Sequence, residues 1–274
     1  MNDRVTVAIT DGVADVRLVR ADKMNALDDA MFQALLATIE SLKGNRQVRV
    51  VVLSGEGRAF CAGLDMGNFG RMKAAGAGGA ADQQSIARNL GARTHGIANR
   101  AQYVVWGWRE LPVPVIAAVH GVAFGGGFQL MLGADVRLLA PDTRLSIMEI
   151  KWGLVPDMAG TQILHHLVRE DIVRELTYTG RVFDAAEAQR IGLATRVVDD
   201  PHAAALEMAR EIAGKSPSAI RAAKRLLNRA AVAGEAAGML AESVEQEALI
   251  GSPNQVEAIS ANLEKRAPRF ADPD

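Results

Sequence analysis

Apolar and polar residues alternate along the first twenty positions of the chain. Residues 5–9 and 13–19 follow this two-residue period, and the pair Asp11-Gly12 separates the two runs. Such alternation is typical of a strand with one buried face, and an Asp-Gly pair is a strong signal for a tight hairpin turn. The pattern predicts a β-hairpin.

The next segment changes to a helical period. Apolar side chains recur at helical spacing between residues 28 and 43, and Gly44 follows as a stop signal. Residues 48–53 are almost all apolar, as in a strand that is buried on both faces. We therefore expect an amphipathic helix followed by a buried strand.

A triple-glycine turn follows a second apolar strand in the middle of the chain. Residues 112–119 are apolar and rich in β-branched side chains, and Gly125, Gly126 and Gly127 interrupt the run. Apolar residues then cover nearly every side of a predicted helix, so its first N–H groups lie free at a buried N-terminus. These donors suit a phosphate or the oxyanion of an activated carbonyl, although a plain tight turn is the alternative. Leu130 stands where a dinucleotide-binding fingerprint needs a third glycine, which excludes that motif.

The remaining pattern predicts an α/β core and a helical C-terminal region. Helices and strands continue to alternate, and beyond residue 199 the strands stop. The predicted elements are a helix over 88–109, strands over 136–139 and 144–147, a helix over 160–168, and three further helices over 203–214, 217–230 and 235–250.

Two segments carry unusual composition. Residues 67–81 are rich in glycine and alanine, which predicts a mobile loop or the edge of a lid. Arg221, Lys224, Arg225 and Arg229 lie three and four residues apart on the helix predicted over 217–230. We interpret this basic stripe as a solvated helix face.

Composition excludes several classes of protein. The chain has 274 residues, 49% of them hydrophobic, and a formal net charge of -1, so no broad nucleic-acid or membrane field is expected. Cys61 is the only cysteine, which excludes an intramolecular disulfide. Without an apolar signal region or a run of eighteen apolar residues, we expect a cytoplasmic protein with no membrane span.

Several blocks of sequence together resemble the crotonase superfamily, also called the enoyl-CoA hydratase/isomerase family. The blocks are KMNALD from Lys23, FCAGLD from Phe60, HGVAFGGGFQLMLGAD from His120, MEIKWGLVPDMAGTQ from Met148 and KRAPRF from Lys265. The resemblance implies a spiral of ββα repeats over residues 1–200 and a helical trimerisation region over 201–274. It further implies a homotrimer or hexamer that binds an acyl-CoA thioester, with no separate cofactor and no metal.

The resemblance also assigns roles to individual positions. It implies that the backbone N–H groups of Ala62 and Gly126 form an oxyanion hole for the thioester carbonyl. It places coenzyme A near Lys23, Ala26 and Asp65, while basic residues of the C-terminal tail reach the phosphates. Our candidates for the phosphate contacts are Lys265 and Arg266, and for these and Lys23 a plain surface position is the alternative.

The acid and base positions depart from the hydratase pattern. Hydratases of the family carry two glutamates, at the positions that Gln129 and Glu149 hold here. A neutral amide cannot take a proton from water, so direct hydration lacks one carboxylate. By resemblance, Asp157 falls at the position of the catalytic aspartate of dienoyl-CoA isomerases. The alternative is that Asp157 caps a helix beginning near Met158.

We therefore predict an enzyme that shifts a double bond of an enoyl- or dienoyl-CoA in fatty-acid metabolism. Hydration by Glu149 with Asp157 or with a water held by Gln129 is the alternative, and a non-catalytic acyl-CoA-binding member is another. An RNA-binding member requires a basic total charge, which the chain lacks. Other polar candidates are interpreted as structural, namely Cys61, His120, His165 and His166.

Overall fold

The N-terminal hairpin has the predicted form. The computed structural model describes residues 3–68, 70 and 90–273. Strand β1 (Val5–Thr10) pairs antiparallel with β2 (Val13–Leu18). Asp11 and Gly12 both have positive φ angles, of 49° and 79°, as a two-residue hairpin turn requires.

A six-stranded sheet extends from this hairpin and forms the centre of the molecule. Its strand order is β1-β2-β3-β4-β6-β9, and every pairing after the first is parallel. Strands β3 (Val50–Gly55) and β4 (Val115–Val119) are almost entirely buried, which confirms the prediction from their apolar runs. The other strands are β6 (Val136–Leu139) and β9 (Arg196–Val197). This arrangement confirms the predicted α/β class.

A second sheet contains three short strands. Its order is β5-β7-β8, from β5 (Val122–Phe124), β7 (Arg144–Ser146) and β8 (Phe183–Asp184). The β5 strand leads directly into the glycine turn at the start of a helix, so this sheet positions the site described below. The helices around the two sheets are α1 (Asp29–Lys43), α2 (Arg100–Glu110), α3 (Gly126–Leu132), α4 (Gly160–Leu164), α5 (Glu170–Thr179), α6 (Ala185–Arg190), α7 (Pro201–Ala213), α8 (Pro217–Ala230), α9 (Glu235–Leu249) and α10 (Pro253–Leu263).

Helices cover both faces of the large sheet. On one face the main core includes α1, α2 and the buried α3. On the other face α7 packs Ala205, Ala209 and Ala213 against β3 and β4. The division predicted at residue 201 coincides with the first residue of α7, yet that helix belongs to the packing of the core. Small alanine side chains let the helix approach the sheet closely.

Several predicted boundaries differ from the structure. The helix predicted over 88–109 begins at Arg100, because Asn99 forms a capping box with Gln102. Ile97 therefore lies outside the helix and is 72% exposed. The final helix α10 was not predicted, and most of the loop predicted over 67–81 lies outside the described residues. Within the described ranges, no helix combines the length and the apolarity that crossing a bilayer requires.

The basic stripe on α8 is not a uniformly solvated face. Lys224 is only 6% exposed, and its Nζ donates to the carbonyls of Trp108 and Val113 and to Asp135 Oδ2 at 2.8–3.1 Å. The solvated-face interpretation is therefore wrong for Lys224. Since α8 packs on the end of α2 and the start of β4, the ammonium satisfies carbonyls that would otherwise be buried without a donor.

Candidate active site

A cavity of about 970 Å³ lies where the loop after β3 meets the start of α3. A third wall comes from the segment between Met148 and Met158. Most of the predicted site residues line this cavity, namely Lys23, Ala26, Ala62, Asp65, Gly126, Glu149 and Asp157. Lys265 and Arg266 do not line it. The fold therefore brings together residues that are more than 130 positions apart in sequence.

Close backbone contacts join the loop after β3 to the glycine turn. The Cys61 N–H donates to the Val122 carbonyl at 3.1 Å, and the Phe124 N–H donates to the Cys61 carbonyl at 3.2 Å. A Cβ atom at Gly127 would lie 2.1 Å from the Cys61 carbonyl oxygen. Glycine is therefore required at Gly127 by the approach of the two chains, which holds the loop beside the start of α3.

At this junction, two residues that line the cavity have backbone N–H groups without an acceptor in the described part of the chain. The first is the Gly126 N–H, at the first position of α3, which confirms the free donor expected there. The second is the Leu64 N–H. A Cβ atom at Gly63 would lie 3.5 Å from the Gly126 nitrogen, so the residue before Leu64 approaches the α3 start closely.

The prediction of a free donor at Ala62 is wrong. The Ala62 N–H donates to the Met24 carbonyl at 2.9 Å. Leu27 forms a parallel bridge with this loop, donating to the Gly63 carbonyl and accepting from the Asp65 N–H. In a parallel bridge of this kind, the N–H and carbonyl groups of the residue between the two bonded residues point away from the partner segment. Here that residue is Leu64, between Gly63 and Asp65.

Glu149 begins a short 3-10 helix on the cavity wall and is 9% exposed. Among the described residues, no group forms a hydrogen bond with its Oε2 atom. Burial raises the pKa of Glu149 above its ordinary value. Its own N–H and a hydrogen bond from Gln129 lower that pKa, while the charge of Asp157 raises it. The site therefore contains a buried carboxyl group with one oxygen available to a substrate.

Gln129 contacts this carboxyl group, and both its amide oxygen and its amide nitrogen form hydrogen bonds. Its Oε1 accepts from the N–H groups of Met158 at 2.9 Å and Gly160 at 3.1 Å. These two donors fix the amide orientation, so that Nε2 donates to Glu149 Oε1 at 2.6 Å. Both lone pairs of the amide oxygen are occupied. Gln129 therefore positions Glu149 and has no acceptor left to hold a water.

Asp157 lines the cavity and does not cap a helix. Helix α4 begins at Gly160, and its N-cap residue Ala159 has a φ of 67° with no side-chain capping bond. The capping alternative is therefore wrong. The residue as a whole is exposed, while burial of its carboxyl group raises the pKa of Asp157. Asp157 and Glu149 share one cavity, and the charge of the first acts on the second.

The residues expected to contact coenzyme A fall into two groups. Lys23 ends a 3-10 helix on the cavity wall and is exposed. Asp65 accepts from Arg20 Nη1 and from the Gly67 N–H, both at 2.7 Å. Burial raises the pKa of Asp65, but these bonds outweigh it and lower that pKa overall. Asp65 therefore holds the backbone at Gly67 through a hydrogen bond.

The two C-terminal candidates lie away from the cavity. Arg266 forms ion pairs with Glu257 at 2.6 Å and with Glu264 at 2.5 Å. Lys265 is exposed beside it, two residues after the end of α10, and has a φ of 54°. Within this chain, neither side chain lies on the cavity whose substrate they were expected to contact.

The remaining polar candidates have structural roles. Cys61 is buried, and burial raises its pKa to about 12, so the thiol is not a nucleophile. His120 Nε2 lies 2.9 Å from the Gly57 carbonyl oxygen. The ring centroids of His165 and His166 lie 3.7 Å apart, with the ring planes tilted by 42°. In the portion of the chain that the structure describes, no group of three or more His, Cys, Asp or Glu residues is placed to hold a metal ion.

Known proteins resemble this chain in both sequence and fold. The enoyl-CoA hydratase/isomerase family model matches residues 8–273. The chain is 32% identical to enoyl-CoA hydratase domain-containing protein 2 of Bos taurus, covering 94% of this chain and 84% of that protein. It is 29% identical to the methylglutaconyl-CoA hydratase of Mus musculus, covering 94% and 79%. The crystal structure of enoyl-CoA hydratase from Bacillus anthracis superimposes with a TM-score of 0.86 at 30% identity, covering 98% and 100% of the two chains.

Proposed function

Since the chain belongs to the enoyl-CoA hydratase/isomerase family and processes an acyl-CoA, we propose that it moves a double bond along an enoyl- or dienoyl-CoA. The observation that carries this proposal is the Oε2 atom of Glu149, which is buried on the cavity wall without a partner among the described residues. A buried carboxylate with one unoccupied oxygen is suited to take a proton from carbon and return it.

The proton transfer uses two carboxyl groups in one cavity. Ionised Glu149 takes a proton from the α or γ carbon of the acyl group, and the electron pair moves to the thioester oxygen. Glu149 then returns the proton to the other end of the dienolate. If a protonated Asp157 donates its own proton instead, the proton held by Glu149 passes to Asp157 before the next turnover. The raised pKa values of both groups bring them closer to neutral pH, where a carboxyl group can act as both base and acid.

The Leu64 and Gly126 N–H groups stabilise the dienolate oxygen. Both residues line the cavity, and both N–H groups are free of acceptors in the described structure. The Gly126 donor also lies at the positive end of α3. Loss of one such donor typically raises the barrier by roughly 2.7 to 4 kcal/mol. Leu64 takes the role that the sequence had assigned to Ala62.

Gln129 disfavours hydration by two glutamates. Its amide oxygen is occupied by two backbone N–H groups, so it cannot activate water, and its Nε2 holds Glu149. Hydration remains the second candidate because Asp157 adds a second carboxyl group to the cavity. In that case Asp157 and Glu149 activate the water together, and the relatives named as hydratases agree with this activity.

A panel of 2-enoyl, 3-enoyl and dienoyl thioesters tests the proposal, with products identified by ultraviolet absorbance and mass. Isomerisation without a gain of water is the expected result, and Glu149→Gln reduces it at least ~100-fold. Robust hydration of a 2-enoyl thioester that depends on Asp157 would establish the second candidate. Binding of acyl-CoA without turnover of any thioester would indicate a non-catalytic member.

We also propose assembly into a homotrimer or hexamer through the C-terminal helices. Helices α9 and α10 expose large apolar side chains that a monomer would leave in water, namely Met239, Leu240, Val244, Val256, Ile259 and Leu263. Sedimentation of the full chain tests this, and a monodisperse monomer at micromolar concentration would contradict it.

A further inference from the structure

Ala159 has a backbone conformation that alanine rarely adopts. Its φ of 67° and ψ of 0° lie in the left-handed region, where a Cβ atom crowds the following carbonyl oxygen. The residue is 9% exposed and stands directly before α4. A strained residue of this kind persists only where its surroundings hold it, and such residues cluster at functional sites.

The residues on either side of Ala159 hold Gln129. The N–H groups of Met158 and Gly160 donate to the same atom, Gln129 Oε1, at 2.9 and 3.1 Å. A left-handed residue curls the chain so that the neighbouring N–H groups converge and form a concave cradle for an oxygen atom. The approach is close, since a Cβ atom at Gly160 would lie 2.8 Å from Gln129 Oε1. The conformation of Ala159 therefore directs two donors at one amide oxygen.

The orientation of this amide decides what Gln129 offers to Glu149. Because the amide oxygen accepts the two N–H groups, the amide nitrogen lies at the other corner, and Nε2 donates to Glu149 Oε1 at 2.6 Å. The opposite orientation would present the amide oxygen to Glu149, and only a protonated carboxyl group can donate to that oxygen. The observed orientation therefore favours ionised Glu149.

We propose that Ala159 is a positioning residue for the base of the reaction. Its left-handed backbone aims the Met158 and Gly160 N–H groups at Gln129, which thereby remains a donor to Glu149. The inference rests on the proposed function, because it takes Glu149 as the base. Ala159 does not line the cavity that contains Glu149, so it acts through Gln129.

Other charged groups surround Glu149, and they stay the same when residue 159 is changed. Those that line the same cavity are Arg20, Asp22, Lys23, Asp65 and Asp157. Lys151 belongs to the 3-10 helix that begins at Glu149. Helix α5 packs against this 3-10 helix, and its charged residues are Glu170, Asp171, Arg174 and Glu175. A change in the titration of Glu149 on substitution of Ala159 therefore reports on Gln129.

Substitutions at position 159 separate backbone conformation from side-chain size. Ala159 lines a second cavity of about 610 Å³ between α2, α4 and the end of α8, so a larger side chain has room there. Valine and asparagine are similar in size, but the left-handed conformation is strongly disfavoured for a β-branched residue and is tolerated by asparagine. Ala159→Val therefore displaces the two donors from Gln129, while Ala159→Asn keeps them in place.

The pH–rate profile of kcat/KM for isomerisation measures the effect. In Ala159→Val we expect the acid limb to move up by about one pH unit, because Glu149 loses a hydrogen bond to its ionised form. Activity that is lost at neutral pH then returns at higher pH, and in Ala159→Asn the acid limb stays at the wild-type position. A loss in Ala159→Val that is equal at every pH would show that Ala159 only supports the fold, and it would overturn the inference.

Infrared titration of the Glu149 carboxyl group separates this inference from the proposed function. The group is identified by its absence from the spectrum of Glu149→Gln, and its pKa is measured without substrate. A higher pKa in Ala159→Val than in Ala159→Asn, without isomerisation by the wild-type protein, supports the positioning role and refutes the proposed function. Equal pKa values, with isomerisation by the wild-type protein, refute the positioning role alone.

Ala159→Gly tests the same inference if the valine variant does not fold. Glycine adopts the left-handed region freely, whereas the replacement of alanine by glycine within an ordinary helix or strand is destabilising. We therefore expect Ala159→Gly to keep at least the wild-type Tm and the wild-type pKa of Glu149. A fall in Tm of about 2 °C or more, or a changed pKa, would overturn the inference.

Discussion

Replacing Gln129 with glutamate places two carboxyl groups in direct contact. Gln129 Nε2 lies 2.6 Å from Glu149 Oε1, and Gln129→Glu substitutes a carboxylate oxygen for that donor. Both side chains are buried. With charge centres about 4 Å apart and an effective dielectric constant of about 20, the repulsion is about 4 kcal/mol. This repulsion raises one of the two pKa values by about 3, because a pKa difference of one corresponds to about 1.36 kcal/mol.

The backbone decides which carboxyl group takes the proton. The new side chain keeps the N–H donors of Met158 and Gly160, which stabilise its ionised form. Glu149 has no such pair of donors, so its pKa rises further and a larger fraction of it is protonated at neutral pH. An acid cannot begin the isomerisation as a base. We expect kcat/KM for isomerisation to fall about 100-fold at neutral pH and to recover as pH rises.

The assay is a pH–rate profile for isomerisation and hydration, between about pH 5 and about pH 9. In the variant, hydration gains relative to isomerisation, because one carboxylate and one carboxylic acid face the cavity together. Gln162→Glu is the charge control, since Gln162 is exposed on α4. Gln129→Met removes the hydrogen bonds without adding a charge. An acid limb that does not move in Gln129→Glu would refute the assignment of Glu149 as the base.

Three further substitutions test the candidate active site and the packing of α8 on the core. Glu149→Gln stabilises the protein at about pH 8 and not below about pH 4, because the pKa of Glu149 is higher in the folded than in the unfolded protein and the wild-type protein loses stability as this group ionises. A pKa difference of one between the two states costs about 1.4 kcal/mol. Thermal unfolding at both pH values measures the effect, and equal gains in stability at the two pH values would contradict it. Asp157→Asn removes a charge that raises the pKa of Glu149, so the acid limb of the pH–rate profile moves to lower pH; a move to higher pH would contradict the shared cavity. Lys224→Met leaves Asp135 without its cation and two buried carbonyls without a donor, so it lowers the free energy of unfolding by about 3–5 kcal/mol. The control Arg225→Ala loses an exposed ion pair with Glu245 and costs no more than ~1 kcal/mol. Urea denaturation measures both changes.

Local patterns were sufficient for most of the architecture. The Asp11-Gly12 pair predicted a hairpin because only a few residues adopt the positive φ angles of its turn. The period of apolar residues predicted α1, and continuous apolar runs predicted the buried strands β3 and β4. These features depend only on neighbouring residues in the sequence and on burial. The pattern of apolar and polar residues indicates both.

The chemistry of the site depended on contacts between distant segments. The free donor is Leu64 and not Ala62 because Met24 and Leu27 pair with that loop in one register. Gln129 holds Glu149 because the backbone near Met158 occupies its amide oxygen. The spacing of apolar residues along the chain does not indicate which partner forms a hydrogen bond with a given polar group.

Burial of charge also required the tertiary structure. Lys224 has the spacing of a solvated stripe, yet it is buried because α8 lies over the carbonyls of Trp108 and Val113. Asp157 stands at a sequence position suited to capping, but α4 begins three residues later, which leaves its carboxyl on the cavity wall beside Glu149. The sequence by itself determined which residue types were available to the site. The packing of segments far apart in the chain determined which of their donors and carboxyl groups face the substrate, because hydrogen-bond partners and burial are properties of neighbours in space.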